Sequence, residues 1–383
     1  MKQLPPAITV TRTVMPPLEE YVGYLTQVWA SGHLTNNGPL VGQLENELGS
    51  FLDGAQVELT ANGTVALQLA IRALDLTGEV ITTPFSYVAT TAAILWERCQ
   101  PVFVDIEPHT FCLDATKLEA AITPRTQAIL ATHVYGYPCD VMAIEAIARR
   151  YGLKVIYDGA HAFGTRVHGR ALLTYGDLTT CSFHATKLFH TGEGGALVTT
   201  DAALARKIWL LKSHGHMGDT YVLPGTNGKT SELNAAMGLC LLPRVPAFIA
   251  ARAALHRLYR AELAGLPLRY PVLPADTEYN YAYFPVVLPD EETAVRLQVA
   301  LATQGVGARR YFYPTLNALP YHIGAPCPMA EDIAGRVLCL PFYADLAAEQ
   351  VGFIARIIVA FFQPSHPILS HDQPHTQPTI ACA

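Results

Sequence analysis

The 383-residue sequence carries little charge and no excess of basic residues. Charged side chains make up 15% of it, the formal net charge is −6, and hydrophobic residues make up 50%. Proteins that bind nucleic acids usually present a basic patch, so this balance argues against that class. The high apolar fraction also argues against a disordered chain. We therefore expect a compact protein of roughly two or three domain-sized units that binds any anionic ligand through a local site.

Membrane, secretion and metal signatures are also missing. No run of about 18 apolar residues indicates a membrane span, and no apolar signal segment follows residues 1–6. The eight cysteines are scattered without a C-x-x-C pair, so neither a zinc site nor a disulfide framework is predicted. The sequence predicts a cytoplasmic protein without a metal site.

Short apolar runs alternate with helical patterns through the first half of the chain. The predicted strands are 80–83, 101–105, 128–133 and 154–158, and the predicted helices between them are 90–98, 115–122 and 141–151. This alternation predicts βαβ units and a mainly parallel α/β sheet that is buried on both faces. In such sheets the ligand binds beyond the carboxyl ends of the strands.

The two ends of the chain have a different texture. Residues 1–40 form a proline-containing arm with one amphipathic helix at 18–29, and a helical pattern resumes at 41–52. After residue 245 we predict a smaller α+β domain, with helices at 247–266, 291–304 and 347–362 and strands at 281–288 and 308–313. The predicted organisation is an arm (1–40), a large domain (41–245), a small domain (246–362) and a flexible tail (363–383).

A strand, an Asn62-Gly63 turn and a helix follow one another near residue 60. A helix that begins after a glycine turn, here near Thr64, directs free N–H groups outward and suits a phosphate group. A plain capped helix with Thr64 as the N-cap is an equally common interpretation. The motif alone does not decide between them.

Lys187 and Asp158 are the strongest catalytic candidates. Lys187 ends the stretch 182–187, SFHATK, a few residues past a short apolar strand, and a Gly-Gly pair follows Glu193. Partial burial readily lowers the pKa of a lysine and makes the neutral amine accessible, although most lysines are solvated surface charges. Asp158 ends a hydrophobic strand, and a buried carboxylate needs a partner such as a protonated pyridine nitrogen.

Three further side chains complete a predicted pyridoxal phosphate site. Lys187 would bind the cofactor covalently, while Ser182 and Thr64 would hydrogen-bond its phosphate next to a helix start. Tyr87 could stack on the ring, although an aromatic residue in such a loop more often only packs.

These motifs and the segment 225–233 resemble, in order, the DegT/DnrJ/EryC1/StrS family of pyridoxal-phosphate-dependent nucleotide-sugar aminotransferases, over residues 34–321. The resemblance implies fold type I, with a mostly parallel seven-stranded sheet flanked by helices in a large domain and a smaller α+β C-terminal domain. It also implies L-glutamate as the donor and a homodimer with shared active sites.

The resemblance assigns roles to particular residues. The implied cofactor-binding set is Gly63, Thr64, Tyr87, Asp158, His161, Ser182, Lys187 and Asn227. Lys187 would be the Schiff-base lysine, Asp158 the pyridinium partner, and Asn227 would reach the phosphate from the neighbouring subunit. His161 stands where the family often has glutamine. A histidine can donate to the cofactor's phenolic oxygen, but its titration would make the site pH-sensitive.

The implied substrate is a nucleotide-linked sugar. His184 and the Glu193 loop resemble the branch that aminates C4, and Arg310, Tyr311 and Tyr313 match the family's segment near the sugar nucleotide. The expected reaction moves an amino group from L-glutamate to a 4-keto-6-deoxyhexose linked to a nucleotide, commonly dTDP. The product, a 4-amino-4,6-dideoxy sugar nucleotide, would serve polysaccharide or O-antigen synthesis.

Several alternatives remain at this point. A 3-keto sugar aminotransferase of the same family would share all of these motifs. Family members that act as sugar dehydratases have histidine in place of the lysine, so Lys187 favours transamination. A pyridoxal lyase acting on amino acids should lack the Asn227 segment and the 310–313 segment, and a non-enzymatic regulatory protein would be colourless.

Overall fold

The computed structural model describes residues 8–363. Within that range the α-helices are α1 (Leu18–Ser31), α2 (Pro39–Phe51), α3 (Gly63–Ala73), α4 (Val88–Trp96), α5 (Leu118–Ala121), α6 (Val141–Tyr151), α7 (Ala202–Lys212), α8 (Glu232–Leu241), α9 (Val245–Glu262), α10 (Glu291–Thr303), α11 (Pro328–Arg336) and α12 (Ala348–Phe362). Several of the helices begin at a residue whose side chain accepts a backbone N–H of the first turn, and these N-caps include Asn62, Asp140, Asp201 and Ser231.

The strands within the same range are short. They are β1 (Gln56–Thr60), β2 (Glu79–Thr82), β3 (Gln100–Phe103), β4 (Thr126–Thr132), β5 (Lys154–Asp158), β6 (Arg166–Val167), β7 (Arg170–Ala171), β8 (Leu178–Ser182), β9 (Gly195–Thr199), β10 (His216–Met217), β11 (Thr220–Tyr221), β12 (Thr277–Glu278), β13 (Pro285–Val287), β14 (Ala318–Leu319), β15 (His322–Ile323) and β16 (Val337–Cys339).

A seven-stranded sheet in the order β1-β9-β8-β5-β4-β2-β3 organises the molecule. The five strands from β8 to β3 run parallel to one another. At one edge β9 pairs antiparallel with β8, and β1 pairs antiparallel with β9, so β9 alone of the seven runs in the opposite direction. Successive residues of β4 enter different cores, since Ile129 belongs to one apolar cluster and Leu130 to another. The sheet is thus buried on both faces, and the predicted mostly parallel seven-stranded α/β fold is confirmed.

The C-terminal part has a core of its own around the β13–β16 pair. Tyr259, Phe284, Leu297 and Ile354 belong to this cluster, which α9, α10 and α12 enclose. Ile8 lies in the same cluster and bridges to Val306, so the start of the described chain packs here. The domain boundaries stay a prediction, and residues 364–383 of the predicted tail lie outside the described residues.

The predicted strand at 308–313 is wrong. Only Arg309 of this segment pairs with another backbone, through an isolated bridge to Cys339, and the strand beside β13 is β16 instead. The reason is that the N–H groups of Tyr311 and Tyr313 bond back to the carbonyls of Arg309 and Arg310, at 3.2 and 3.1 Å, and so are not available to a neighbouring strand.

One described stretch, Glu232–Glu262, is long and apolar enough to span a membrane by length and composition. It consists of α8, a 3₁₀ turn and α9 in succession. The carboxylate of Glu232 is buried and accepts the N–H groups of Leu40 and Val41 at 2.8 and 2.9 Å. These internal contacts are those of a core helix.

Candidate active site

The sheet brings the two principal candidates to the same edge. β5 and β8 are parallel neighbours, with Asp158 opposite Thr180. Asp158 is the last residue of β5, and the chain leaving β8 at Ser182 reaches Lys187 within five residues. Because parallel strands end at a common edge, both side chains lie where an α/β sheet binds its ligand.

Asp158 is a buried carboxylate that accepts two direct hydrogen bonds from the protein. Its side chain is 5% exposed, and Oδ2 accepts the hydroxyl of Thr90 at 2.7 Å while Oδ1 accepts the N–H of Ala160 at 3.1 Å. Burial raises the pKa of Asp158, and the bonds from Thr90 and Ala160 and the positive charge of Lys187 oppose that rise. The carboxylate retains lone pairs for a further cationic partner.

Lys187 lies half-buried in a tight turn, with its N–H donated to the carbonyl of His184 at 2.9 Å. Burial lowers the pKa of the amine, whereas the carboxylate of Asp158 and then the phenol of Tyr311 raise it. A lysine with a lowered pKa has a larger neutral fraction near neutral pH, and the neutral amine is the form that can attack a carbonyl.

His161 is held as a neutral ring. Its Nδ1 accepts the N–H of Tyr135 at 3.2 Å, so the neutral imidazole carries its proton on Nε2, where it can donate. The ring is 8% exposed and parallel to that of Phe312 at 5.8 Å. Burial and then the charge of Lys187 hold the pKa of His161 well below its usual range. The pH sensitivity expected from its titration is therefore absent near neutral pH.

The start of α3 supplies a suitable anion site. Asn62, not Thr64, is the N-cap, and its side chain accepts the N–H of Val65 at 2.9 Å. The N–H groups of Gly63 and Thr64 belong to the first turn and have no intrahelical acceptors. A Cβ at Gly63 would lie 3.0 Å from the Cβ of Ser182, so the predicted phosphate ligands are neighbours.

Gly195 allows β9 to pass directly beneath this helix start. A Cβ at this position would lie 2.5 Å from the carbonyl carbon of Asn62 and 2.7 Å from the nitrogen of Gly63. Gly195 also pairs with Ser182 across the β8–β9 ladder and with Thr60 across the β1–β9 ladder. The Gly-Gly pair of the sequence motif therefore joins the helix start to the strand that leads to Lys187.

Tyr87 and Asn227 lie at the surface of the single chain. Tyr87 immediately precedes α4 and is 61% exposed. Asn227 is also exposed, and its Oδ1 accepts the Lys229 ammonium at 2.7 Å. Next to it, the carbonyl of Gly228 accepts the N–H of Ala61 at 2.8 Å. Neither side chain is buried by its own subunit, so both remain accessible to a cofactor or a second subunit.

His184 and Glu193 form an exposed pair. The Nε2 of His184 lies 3.7 Å from Oε1 of Glu193, and its Nδ1 is 2.9 Å from the hydroxyl of Thr186. The two residues that the resemblance associates with sugar preference therefore act as one surface feature beside Lys187.

In the 309–313 segment the arginine that is exposed is Arg309, whereas the resemblance pointed to Arg310. Arg310 is engaged elsewhere, with Glu291, with the carbonyl of Gly335 at 3.0 Å and with the ring of Tyr313 at 3.5 Å. Arg309 is exposed, and its guanidinium lies 5.0 Å from the ring of Tyr311. No sequence signal distinguishes two adjacent arginines, because only the backbone decides which side chain meets Glu291 and which one is exposed.

His161, Ser182 and Lys187 line one cavity, together with Tyr283. A larger cavity of about 560 Å³ lies between Arg260, Tyr270 and Tyr279, and none of the predicted site residues lines it. Its size does not make it the catalytic site, because the buried carboxylate and the lysine are elsewhere. Among the described residues no three His, Cys, Asp or Glu side chains are arranged to hold a metal ion.

Comparison with known proteins places the chain among the aminotransferases. A model of the DegT/DnrJ/EryC1/StrS aminotransferase family matches residues 18–359, so the chain belongs to this family. The resemblance seen in the sequence motifs is thereby confirmed, as is the prediction of a transaminase. Members of the family are pyridoxal-phosphate-dependent enzymes.

Individual relatives narrow the comparison. The chain is 42% identical over 359 residues to the dTDP-4-amino-4,6-dideoxy-D-glucose transaminase of Shigella dysenteriae, which covers 92% of this chain and 98% of that protein. It is 36% identical to the UDP-N-acetyl-3-dehydro-alpha-D-glucosamine 3-aminotransferase of Acidithiobacillus ferrooxidans, with coverage of 82% and 86%. The structure of DesI in the presence of its TDP-sugar product matches with a TM-score of 0.88 at 35% identity, with coverage of 95% and 94%.

Proposed function

We propose that the chain is a pyridoxal-phosphate-dependent aminotransferase that moves an amino group from L-glutamate to C4 of a dTDP-linked 4-keto-6-deoxyhexose. The product is the corresponding 4-amino-4,6-dideoxy sugar nucleotide. The observation that carries the chemistry is the position of buried Asp158 at the carboxyl end of β5 and of half-buried Lys187 five residues past the end of the parallel neighbour β8. The 42% identity to a transaminase named for such a sugar supports the substrate.

The residues present fit the cofactor at each of its polar groups. The unoccupied lone pairs of Asp158 suit a ring N–H⁺, and the Nε2 proton of His161 suits the phenolic oxygen. The first-turn N–H groups of Gly63 and Thr64, with the Ser182 hydroxyl, suit the phosphate. When bound, pyridoxal phosphate supplies a ring that stabilises the negative charge left when a proton leaves the donor's Cα.

Each protein group then has a distinct task. The Nζ of Lys187, whose pKa burial lowers, would take the proton from the Cα of glutamate and pass it to the cofactor, and in the second half-reaction it would move a proton from the cofactor to C4 of the sugar. The carboxylate of Asp158 keeps a proton on the ring nitrogen throughout. The amino group would stay with the cofactor while water supplies the keto oxygen of 2-oxoglutarate, which would leave before the keto sugar binds, so both substrates would use one pocket in turn.

The exposed residues around Lys187 would contact the sugar nucleotide. His184 and Glu193 form a donor and acceptor pair beside the lysine, which suits the hydroxyl groups of a hexose. Arg309 and Tyr311 present a guanidinium and a phenol on the other side, which suit a diphosphate and a base. Arg310, by contrast, would act in holding this segment to α10.

The regiochemistry is tested with pure protein, glutamate, pyridoxal phosphate and matched sugar nucleotides. We expect amination of dTDP-4-keto-6-deoxyglucose at C4, with one equivalent of 2-oxoglutarate released and the amine located by NMR. The matched control is a UDP-linked 3-keto sugar, chosen because a 3-aminotransferase is also a relative. Amination at C3 alone would overturn the proposed substrate while leaving the transaminase chemistry intact.

We further propose a homodimer in which Asn227 reaches the phosphate of the partner subunit's cofactor. Asn227 is exposed on its own chain, and the adjoining β10–β11 hairpin carries a tyrosine, Tyr221, that is 82% exposed. Met217 and Val222, in and next to the same hairpin, are 44% and 51% exposed, and a group of exposed apolar side chains in one short segment is typical of a surface that a partner covers.

Mixed dimers test the shared site. We expect Asn227→Ala and Lys187→Ala to be impaired as separate preparations, because each dimer then lacks one function in both sites. Unfolding and refolding the two variants together would produce heterodimers in which one site has both residues, so activity should return to about a quarter of wild type by random pairing. A mixture that gains no activity, although light scattering shows dimers, would place Asn227 in its own subunit's site or outside it.

A further inference from the structure

A chain of hydrogen bonds between buried hydroxyl groups leads from the sheet interior to Asp158. The hydroxyl of Thr132 donates to Ser86 at 3.0 Å, Ser86 lies 2.7 Å from Thr90, and Thr90 donates to Oδ2 of Asp158 at 2.7 Å. Thr132, Ser86 and Thr90 are 3%, 2% and 0% exposed. The three residues come from the end of β4, the loop after β2 and the first turn of α4, so tertiary structure assembles them.

When Asp158 is ionised, the hydrogen bonds of this chain can run in only one donor-to-acceptor direction. A carboxylate can only accept, so the single proton of Thr90 must point to Asp158. The oxygen of Thr90 then accepts from Ser86, and the oxygen of Ser86 accepts from Thr132. Hydrogen bonds aligned head to tail in a low-dielectric interior polarise one another and strengthen the last, charge-assisted bond.

We propose that Thr90, Ser86 and Thr132 form a positioning relay that keeps Asp158 ionised and fixes its rotamer, so that its free lone pairs face the ring nitrogen. This inference rests on the proposed function, in which Asp158 holds that nitrogen protonated. The relay residues touch neither substrate nor cofactor in this assignment. They act through Oδ2, which leaves Oδ1 and the remaining lone pair of Oδ2 to other partners.

The relay opposes the effect of burial on the charge of Asp158. Burial pushes Asp158 toward its neutral form, and a neutral carboxyl would not hold a proton on the ring nitrogen. The titratable groups around Asp158 are Lys187, Cys181, His161 and His133. Both histidines have lowered pKa values, about 3 for His133, and so remain uncharged. Lys187 supplies positive charge in the cofactor-free protein, but covalent attachment would commit its nitrogen to the cofactor, whereas the hydroxyls remain.

Infrared titration of the cofactor-free protein tests the relay directly. The protonated-carboxyl band of Asp158 is identified by subtracting the spectrum of Asp158→Asn, and its pH midpoint is then compared among variants. We expect Thr90→Val to raise that midpoint by about one to two pH units, since a hydrogen bond to a charged group is lost. Ser86→Ala should raise it by about a tenth to a third as much, because only the polarisation of the last bond changes.

The chain offers a matched control next to Thr90. Thr91 is also buried in α4, and its hydroxyl has no hydrogen-bond partner among the described residues. Thr91→Val therefore removes an equivalent buried hydroxyl, and the midpoint should stay unchanged. Thr90→Ser retains the donor and should restore the wild-type midpoint, which a purely structural role for Thr90 does not predict.

The outcomes separate the relay from the proposed function. Equal midpoints in wild type, Thr90→Val and Ser86→Ala, or equal shifts in Thr90→Val and Thr91→Val, would overturn the relay. If Thr90→Val does not fold by thermal melting, the presence or absence of a shift in Ser86→Ala decides. The measurement uses no cofactor or substrate, so a failure of the aminotransferase assignment would leave the midpoints unaffected and would appear only in the sugar assay.

Discussion

Replacing Lys187 with alanine is expected to abolish transamination and to prevent covalent attachment of the cofactor. No other described amine is held in the cavity that His161 and Ser182 also line. Loss of the group that transfers the Cα proton should slow the glutamate half-reaction by a factor on the order of a thousand or more. Single-turnover absorbance with glutamate measures that rate, and mass spectrometry after borohydride treatment detects a cofactor bound to the protein.

Lys154→Ala is the matched control for this prediction. Lys154 begins β5, the strand that ends at Asp158, and its ammonium forms an exposed ion pair with Asp177 at 3.1 Å. Such a pair contributes little to stability, so the control should retain its rate and its borohydride-stable adduct. A Lys187→Ala protein that still carries a covalent cofactor after reduction would refute the assignment of Lys187.

Asp158→Asn is expected to separate activity from stability. The amide preserves the shape and can still accept from Thr90, but it carries no charge to hold a proton on the ring nitrogen. We expect the glutamate half-reaction to slow by a factor on the order of a hundred or more, the usual effect of removing one preorganised electrostatic group. Cofactor affinity, measured by fluorescence quenching of the cofactor-free protein, should also fall.

The same substitution should change how stability depends on pH in the cofactor-free protein. Burial raises the pKa of Asp158 above its unfolded value, so between the two values the native state binds more protons than the unfolded state. The free energy of unfolding from this group therefore falls as pH rises from the unfolded pKa of about 4 through the raised native value. In Asp158→Asn the side chain does not titrate, so this fall in the free energy of unfolding disappears.

Urea unfolding at pH 4 and pH 7 measures the effect. Relative to wild type, Asp158→Asn should gain stability on going from pH 4 to pH 7, because only the wild type then has to bury a charge. Saturating pyridoxal phosphate should diminish this gain, since it stabilises the wild type more than the variant. A variant that is less stable than wild type by the same amount at both pH values would contradict the sign derived for Asp158.

The sequence was sufficient to predict the parts of the site that depend on strand order. Asp158 ends an apolar run and Lys187 follows another, and in a parallel sheet both features point to the same edge. The helix start at Gly63 was likewise predictable from the Asn-Gly turn, although the capping residue proved to be Asn62 and not Thr64.

Features that depend on three-dimensional packing were not predictable. The engagement of Arg310 by Glu291, which leaves Arg309 exposed, depends on a segment that was expected to be a strand and is not one. The neutral state of His161 depends on burial and on an N–H group from Tyr135, which is distant in sequence. Thr132, Ser86 and Thr90 have no common motif, since three separate elements bring their hydroxyls together.

The β1–β9–β8 edge of the sheet has a consequence for how the protein acquires its cofactor during synthesis. β1 leads into the turn at Gly63, which we propose binds the phosphate, but the strand between β1 and the rest of the sheet is β9, which is made much later. Because β9 is the strand that pairs with β1 and lies against Asn62 and Gly63, this turn cannot be held in place until β9 has left the ribosome. We therefore expect nascent chains that end before Gly195 to bind no cofactor, however much of the parallel sheet they have already formed.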